Sequence, residues 1–588
     1  MKFARSLVNG HTAIELLVAG VAVMNMAKLL FVALALTLVA GEYHLLKQGY
    51  VKSQTNKGGV RFTKQTPEGS DSLVHLPSLS EMKLNWLEKM TDRLESPRLQ
   101  AASLSCDWGQ GPDYFRLFPQ FEDALFKGAA PVTFSGHCFR SITAEINQFT
   151  DTSITVSLVA EDPLDLFCYD TLLVATMGTH HIETLFKRGQ HTITFKKMSD
   201  STVADVDAQG VRVFWFCDGV ADLVGDFLMT LELFLGGFTT HPNWPIIGSH
   251  TTWYMEEANR KFLNRSIGYY MEERPVHRIY LNKTDIHTGD FLAITRLDGL
   301  DEIIMYGSGS HVGHSTVAFW SDIDGEMDLY ILESQAGWYW PRDGIQMNKF
   351  DQWIQWADDA SFNIVILPLK DEVRAAFNST SAFDWFKTVE GLPYGYHNFA
   401  FGWLDTANDN MPPLLSGELL TVVLPIVESI IPAQFASLFG EGLNLRMGTK
   451  GLTFNQLAEL AYAQGLSMMD VMAMVEVEGW EYSDGLSYVC SSFVLSFYKN
   501  AGILGDYTIY GPEFTPRDVY DLSIFNNQAT VPLACQVADP QSVNLPYCQI
   551  LGNYRINLGA EYGTIDPYEH MDERCPSIAP QFVRPDGC

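Results

Sequence analysis

Positive charge is what this chain has least of. Its 588 residues hold 39 Lys plus Arg against 70 Asp plus Glu, a formal charge of −31, with no basic run. Phosphate backbones and anionic bilayers repel such a surface, which sets nucleic-acid binding aside. Cys-x-x-Cys is missing, and no His/Cys grouping has zinc-ligand spacing, so neither a metal nor a cofactor is expected. Ser308 and Ser310 do not fit the Gly-x-Ser-x-Gly elbow, which disfavours a serine hydrolase. The Gly307–Gly313 stretch lacks the Lys-Ser/Thr pair of a phosphate-cradling loop. The acidic stretch Asp405–Asn410 lacks the twelve-residue calcium-loop spacing. No internal repeat is visible.

What is present is apolar and aromatic. Hydrophobic residues make up 47% of the chain, with 36 Phe, 24 Tyr and 13 Trp, and only 19% of residues are charged. That composition belongs to folded domains rather than to disorder, collagen or coiled coil. At roughly 100–200 residues per domain, the length predicts two or three of them.

The N-terminus has two apolar stretches, Ala13–Val23 and Leu29–Ala40. Lys28, the second run, and the small residues Val39-Ala40-Gly41 read as a secretory signal, with Met26 as a second possible start. A signal anchor is the alternative, because the two stretches together exceed the length of a span. Export also fits the sequons at Asn264, Asn282 and Asn378, the glycosylation candidates. The nine cysteines fall into two even groups, Cys106, Cys138, Cys168, Cys217 and Cys535, Cys548, Cys575, Cys588, with Cys490 left over. In an oxidising compartment the two groups are disulfide candidates of open connectivity, and Cys490 is a free thiol.

Along the chain, residues 1–41 are the leader and 42–105 a helical linker region, with an amphipathic stretch at Leu79–Leu94. Residues 106–270 are β-rich: Pro131–Phe139, Ser153–Ala160, Thr192–Lys197 and Val211–Phe216 carry the β-branched and aromatic residues of strands. They suggest a disulfide-bonded, β-sandwich-like domain, followed by an apolar helix at Val220–Leu235. From 271 to 530 the texture is α+β. Strands are expected at Asp290–Thr295, Ser315–Trp320, Asp328–Glu333 and Asn363–Leu367, and helices at Asp371–Ala376, Ser381–Glu390 and Ser491–Ala501. A helical, apolar insertion spans 405–475; its Leu419–Ile431 run is too short to cross a bilayer comfortably. Residues 531–588 form a Cys/Pro-rich tail.

Chemistry concentrates at Cys490. Phe493, Val494, Phe497 and Tyr498 recur with helical spacing after it, placing the thiol at a helix N-terminus. Unsatisfied N–H groups and the helix dipole favour thiolate there; the plain alternative is a buried, inert cysteine. Upstream, Gly307-Ser-Gly-Ser-His-Val-Gly-His-Ser-Thr-Val puts histidine at the entrance of a strand, and Leu329-Tyr-Ile-Leu-Glu-Ser ends the next strand in Glu333. Such a hairpin can set imidazole beside carboxylate, which orients the ring. Thiol, imidazole and orienting acid are the parts of thiol acyl transfer. His314 suits a strand of ordinary length and a simple hairpin better than His311, which stays as the alternative base. The plain alternatives are turn-capping histidines and a surface acid. His180-His181 reads as strand or loop surface.

The order Gly289-Asp-Phe-Leu-Ala-Ile, Ser-His-Val-Gly-His-Ser-Thr-Val, Tyr-Ile-Leu-Glu-Ser, Leu392-Pro-Tyr-Gly-Tyr-His-Asn-Phe and Tyr488-Val-Cys-Ser-Ser-Phe-Val resembles the circularly permuted papain-like (NlpC-type) cysteine amidohydrolases. It covers roughly Arg274–Tyr520, with histidine before cysteine. The resemblance implies Cys490 as nucleophile, His314 (or His311) as base, Glu333 as orienting residue, and Tyr394, Tyr396 and His397 as groove candidates. The fold expected is α+β: a permuted papain-like domain of antiparallel sheet plus helices, preceded by the sandwich. The function implied is a secreted or endolysosomal hydrolase cleaving peptide or peptidoglycan-type amides through a thioester acyl-enzyme. A lipid acyltransferase or phospholipase of the same superfamily and an inactive glycan-binding scaffold glycoprotein are the alternatives. The partner is then a peptide, peptidoglycan or lipid-like substrate, with a membrane involved only if the leader is retained.

Overall fold

The computed structural model describes residues 51–54, 60–65, 71–76, 118–150, 152–164, 169–176, 179–196, 198, 200–216, 253–336, 343–399, 401, 424–425, 428, 432–472, 474, 476, 478–505 and 509–567. The chain divides into two units, Met1–Ser103 and Leu104–Cys588. In the first, β1 (Val51–Gln54), β2 (Val60–Gln65) and β3 (Asp71–Leu76) form an antiparallel meander. The described part of the 42–105 region is thus strand, not helix: Val60-Arg-Phe-Thr pairs with Leu73-Val-His-Leu. The expected Leu79–Leu94 helix, like the leader, lies outside the described residues.

The second unit opens with two four-stranded sheets. They are built from β4 (Gln120–Leu125), β5 (Val132–Phe134), β6 (Phe139–Thr150), β7 (Ser153–Pro163), β8 (Asp170–Thr176), β9 (Thr179–Leu185), β10 (Gly189–Lys196) and β11 (Val211–Trp215), with helix α1 (Asp200–Gln209) before β11. Strand order is β10-β7-β6-β5 in one sheet and β4-β11-β8-β9 in the other. Ile142, Ile154, Val156, Leu158 and Ile193 meet Leu172, Val174, Val211, Val213 and Trp215 in a core between them. The Asp170 carboxylate pins one end. It accepts the backbone N–H groups of His137 (2.6 Å) and Phe139 (2.9 Å) and the indole N–H of Trp215 (3.0 Å). This compensates an otherwise costly buried charge. Cys138 is disulfide-bonded; Cys106, Cys168, Cys217, Cys575 and Cys588 lie outside the described residues, as does the expected Val220–Leu235 helix.

The alternate side chains of β8 and β11, namely Leu173, Ala175 and Phe214, with Phe216 just past β11, enter a different core, that of the following α+β region. Both faces of this sheet are therefore covered, and the sandwich is not a separable bead. The junction is aromatic: Phe118 packs edge-on against Tyr306 (4.9 Å) and Phe262 (5.8 Å).

Helix α2 (Trp253–Ile267) leads into a six-stranded antiparallel sheet, order β15-β14-β13-β12-β16-β19. Its elements are β12 (Phe291–Thr295), α3 (Leu300–Ser308), β13 (His314–Ser321), β14 (Asp328–Gln335), β15 (Gly344–Lys349), α4 (Phe350–Asp359), β16 (Asn363–Leu367), α5 (Asp371–Ala376) and α6 (Ser379–Val389). From the insertion come α7 (Glu441–Arg446) and α8 (Phe454–Ala463), then the short pair β17 (Glu481–Tyr482) and β18 (Gly485–Leu486). Helix α9 (Cys490–Asn500), α10 (Pro516–Asp521), α11 (Leu533–Ala538) and β19 (Cys548–Leu551) complete the described fold. The tail is thus not a separate appendage. β19 pairs with β16, and a Cys535–Cys548 disulfide ties it to α11.

The sheet has helices on both faces. On β13, Phe319 stacks on Phe383 of α6 (5.0 Å) and meets Phe497 of α9 edge-on (5.8 Å). Strand side chains alternate, so the other face of β13 and β14 looks toward α4, whose Trp353 is fully buried. Asn264, Asn282 and Asn378 are all accessible, none of them being buried. Asn282 caps a short 3-10 turn and Asn378 caps α6 through the Ser381 N–H (3.1 Å).

Candidate functional site

Cys490 is the first residue of α9, is 3% exposed, and is a free thiol. Val489 precedes it in extended conformation, because Tyr488 is held on two sides. The Tyr488 carbonyl accepts the Gly395 N–H (3.0 Å) and the Ser334 hydroxyl (2.7 Å). Gly395 is obligatory there: a Cβ on it would lie 2.3 Å from the Tyr488 carbonyl carbon. That assigns a physical reason to the Gly in Leu392-Pro-Tyr-Gly-Tyr-His.

The thiol lines a small pocket of about 50 Å³ that is partly open to solvent. Ile303, Ile304 and Ser308 of α3, Tyr394, Asn398 and Phe399, and Phe514 and Pro516 form its walls. The Ser315 N–H and the first-turn N–H of Ser491 face the sulfur. Burial dominates nonetheless and pushes the thiol up to about 11, against the opposing pull of the Arg296 guanidinium.

His314 and Glu333 are brought together as the hairpin register predicts. The imidazole Nε2–H donates to Glu333 Oε2 (3.1 Å), and the Trp353 indole N–H donates to Oε1 (2.9 Å). All three side chains are buried. This arrangement selects the tautomer that leaves Nδ1 as the acceptor. Burial, with Arg296 adding to it, holds His314 well below the ordinary histidine range, so the ring is neutral.

The relation of thiol to imidazole is less simple. Glu333 bonds Trp353 of α4, so His314 and Glu333 project from the α4 face of the sheet, whereas α9 lies on the Phe319 face. The sulfur reaches the backbone of Ser315, the residue after His314, and no hydrogen bond joins it to the ring among the described residues. His311 is placed elsewhere. Its ring stacks on Tyr269 (4.0 Å, 4° between planes), and its Nδ1–H donates to the Asn557 carbonyl.

Of the groove candidates, Tyr394 lines the pocket. Tyr396 packs edge-on against Tyr394 (5.0 Å) without lining it. His397 turns toward the β17–β18 pair. It stacks on Tyr482 (4.5 Å) and donates from Nε2 to Asp484 (2.9 Å). His180 and His181 lie on β9, and His181 pairs with Glu183 (3.0 Å).

Three contributors escaped the sequence reading: Trp353, Arg296 and Asp301. The Phe350, Trp353, Ile354, Ala357 spacing of α4 was a usable helical signal for the first. Arg296 and Asp301, charged and just beyond a strand, read as loop surface and gave none. Among the described residues no group of three or more His, Cys, Asp or Glu side chains is placed to hold a metal ion, and no helix is long and apolar enough to cross a membrane. No family model, curated protein or solved structure matches this chain.

Proposed function

We propose that this chain is a cysteine hydrolase, secreted or endolysosomal, that cleaves amide bonds of peptide or peptidoglycan type through a thioester acyl-enzyme. One observation carries the reading: a free thiol opens a helix and lines a pocket, and the Ser315 amide beside it is the next residue after an imidazole–carboxylate pair. The five-motif resemblance to permuted papain-like enzymes points the same way.

In the proposed reaction, Cys490 Sγ adds to the substrate carbonyl as His314 Nδ1 takes the thiol proton. The resulting oxyanion is met by helix-start N–H groups. Imidazolium then protonates the leaving amine, the C–N bond breaks, and a thioester remains. Water, deprotonated by the same ring, cleaves the thioester and regenerates the thiol. Glu333 and Trp353 hold the ring's far nitrogen throughout. Because His314 projects from the opposite face of the sheet, this proton transfer requires the start of β13 to rearrange on binding so that the ring reaches the α9 side. The Cys535–Cys548 disulfide and the accessible sequons support the exported location.

A second reading has its own support. Ile303, Ile304, Phe399 and Phe514 make the pocket walls apolar, which suits an acyl lipid better than a cell-wall peptide. A thiol-directed activity probe tests both. Labelling of Cys490 that disappears in Cys490→Ser and His314→Ala is the expected result, with released peptide or released fatty acid deciding between substrates. Folded protein that stays unlabelled and releases neither makes the chain a scaffold glycoprotein.

A further inference from the structure

The sandwich carries a polar clasp at one edge, away from Cys490. β9 is the edge strand of one sheet and β10 the edge strand of the other, joined by the turn at 186–188. On β9, His181 and Glu183 share a side with Leu185, which enters the inter-sheet core. On β10, His191 shares a side with Ile193 and Phe195, which enter it too. The three polar side chains meet where the sheets meet. Glu183 Oε1 lies 2.9 Å from His191 Nδ1, and its Oε2 lies 3.0 Å from His181 Nε2. The other ring nitrogen of His191, Nε2, faces the Lys187 carbonyl at 3.2 Å.

Both nitrogens of His191 therefore face groups that can only accept. A neutral imidazole carries one N–H and serves one of them, whereas imidazolium carries two and serves both. The side chain is only 12% exposed, so deprotonation turns a lone pair of Nε2 against the carbonyl with little water to intervene. We infer that His191 is a proton switch joining the two sheets: its protonation closes the β9–β10 edge, and loss of the proton loosens it. Glu183 is the shared acceptor. His181 keeps its bond in either state, since a neutral ring can present Nε2–H. The inference is independent of any role for Cys490.

The groups around the clasp leave this assignment intact. On β7 the residue opposite His191 is Leu158, and on β8 those opposite Glu183 and His181 are Leu172 and Val174, all buried and apolar. From the turn, the exposed Lys187 ammonium opposes a charge on His191, but the bond to Glu183 outweighs it and burial together and lifts the ring above its ordinary 6.5. A raised histidine stabilises in full below the unfolded value and loses that effect as pH rises through the folded one. Burial opposes ionisation of Glu183, yet its bonds from His181 and His191 prevail and pull the carboxyl down to about 2 from 4.5. That contribution is full above the unfolded value and fades as pH falls toward the folded one. Both act together between about pH 4.5 and about pH 6.5. The loosening falls on one layer. Ile142, Ile154, Val156, Leu158 and Ile193 of the β10-β7-β6-β5 sheet enter the inter-sheet core, whereas Leu173, Ala175 and Phe214 anchor the other sheet to the α+β region.

The test is deuterium exchange of the full chain, read by mass spectrometry from about pH 5 to about pH 8 and corrected for the intrinsic exchange rate, with α6 as internal reference. Protection of residues 179–196 is expected to fall as pH rises past about 6.5, by up to about 10-fold per unit, while α6 stays level. His191→Gln and Glu183→Gln should lower protection at acid pH and abolish its fall, and His181→Gln should keep the fall. Exchange at the histidine C2–H in the same samples gives the titration midpoint of His191, expected above 6.5 in wild type and lower in Glu183→Gln. Wild-type protection that stays level across the range overturns the switch by itself, whether or not the variants fold. So does a wild-type His191 midpoint at or below 6.5, or a folded His191→Gln protein that keeps the wild-type profile.

Discussion

Replacing Gly395 by alanine tests the geometry that presents the thiol. An added Cβ would sit 2.3 Å from the Tyr488 carbonyl carbon, 2.5 Å from Val489 N and 2.7 Å from Tyr488 N. All three are backbone atoms, so no rotamer change relieves them. Gly395 is not in the left-handed region, so the penalty is purely steric. Ordinary contact begins near 3.4 Å, and the 394–399 segment must retreat by about an ångström from the turn that starts α9. Overpacking of this kind costs about 1–3 kcal/mol. The retreat also stretches the Gly395 N–H bond to Tyr488 (3.0 Å), worth about 1 kcal/mol net. We expect Gly395→Ala to lose about 3 kcal/mol in urea denaturation, read as a lower midpoint at unchanged slope.

Gly325 supplies the control. It turns the β13–β14 hairpin with φ of +85°, and a Cβ added there would meet nothing within 4 Å. Alanine at this position faces only the left-handed backbone penalty of about 1–2 kcal/mol. If Gly395→Ala costs no more than Gly325→Ala, the close approach of the two segments is wrong, and the pocket built on it goes too. If the cost is as expected, the folded variant should also alkylate Cys490 at an altered rate, because Val489 moves with Tyr488.

Two further outcomes follow from burial. Phe118→Ala should lose about 3–5 kcal/mol in the same assay, since Phe118 is fully buried between Tyr306 and Phe262; a loss below about 1 kcal/mol would mean the sandwich is merely tethered. His311 is pulled down to about 4 from 6.5, by burial first. Above the unfolded value neither state is protonated and the shift has no effect. As pH falls below it the unfolded chain gains a proton that the folded chain refuses, so stability is lost until the folded value is reached. Wild type should therefore lose stability relative to His311→Gln between about pH 6.5 and about pH 4, by at most about 1.4 kcal/mol per unit. Parallel stability curves would sink that account.

The parts of the fold that sequence made legible are those whose pattern is local. β12, β13, β14 and β16 carry β-branched and aromatic runs bounded by turns, and they fall where expected, as does α5. β7 and β11 were equally plain. β8 was not, because Leu172-Leu-Val-Ala is buried on both faces and has no alternation to read. The polar β9 and the Gly-Ile-Gln-Met-Asn-Lys of β15 are strands only because a neighbour pairs with them. α3 was obscured by Asp301 and Glu302, which are fully buried but read as surface. β19 joins the sheet across a separation of some 180 residues, and no local pattern announces that pairing.

The site divides in the same way. Spacing sufficed to predict the His314–Glu333 contact, because a hairpin's register follows from its turn. It could not tell on which side of the sheet that pair stands. Facing is decided by which helix covers which side, and chain order carries no such information. The right neighbours were therefore legible, and the layer of backbone at Ser315 that lies between sulfur and ring was not.

That layer bears on whether the cluster is chemical or inert. Arg296, Asp301, Glu302, His314 and Glu333 are all essentially inaccessible, at one end of one sheet, beside a free thiol. Removing so many ionisable groups from water is expensive, and well-packed apolar residues of similar volume are often as stabilising or more so. The sandwich a few strands away buries charge as well: Arg212 and Asp205 form a fully buried pair (2.5 Å), and Asp170 is bound by backbone and indole N–H groups. Groups whose proton affinities are pulled apart by burial and by one another gather where protons are moved, although ion-pair networks do so as well. What separates the two cases is access. Here α3 carries the charge cluster on its first turn and a pocket wall on its second and third, so a small molecule entering beside Ile304 approaches the Cys490 thiol. A purely structural ion-pair network has no need of that opening.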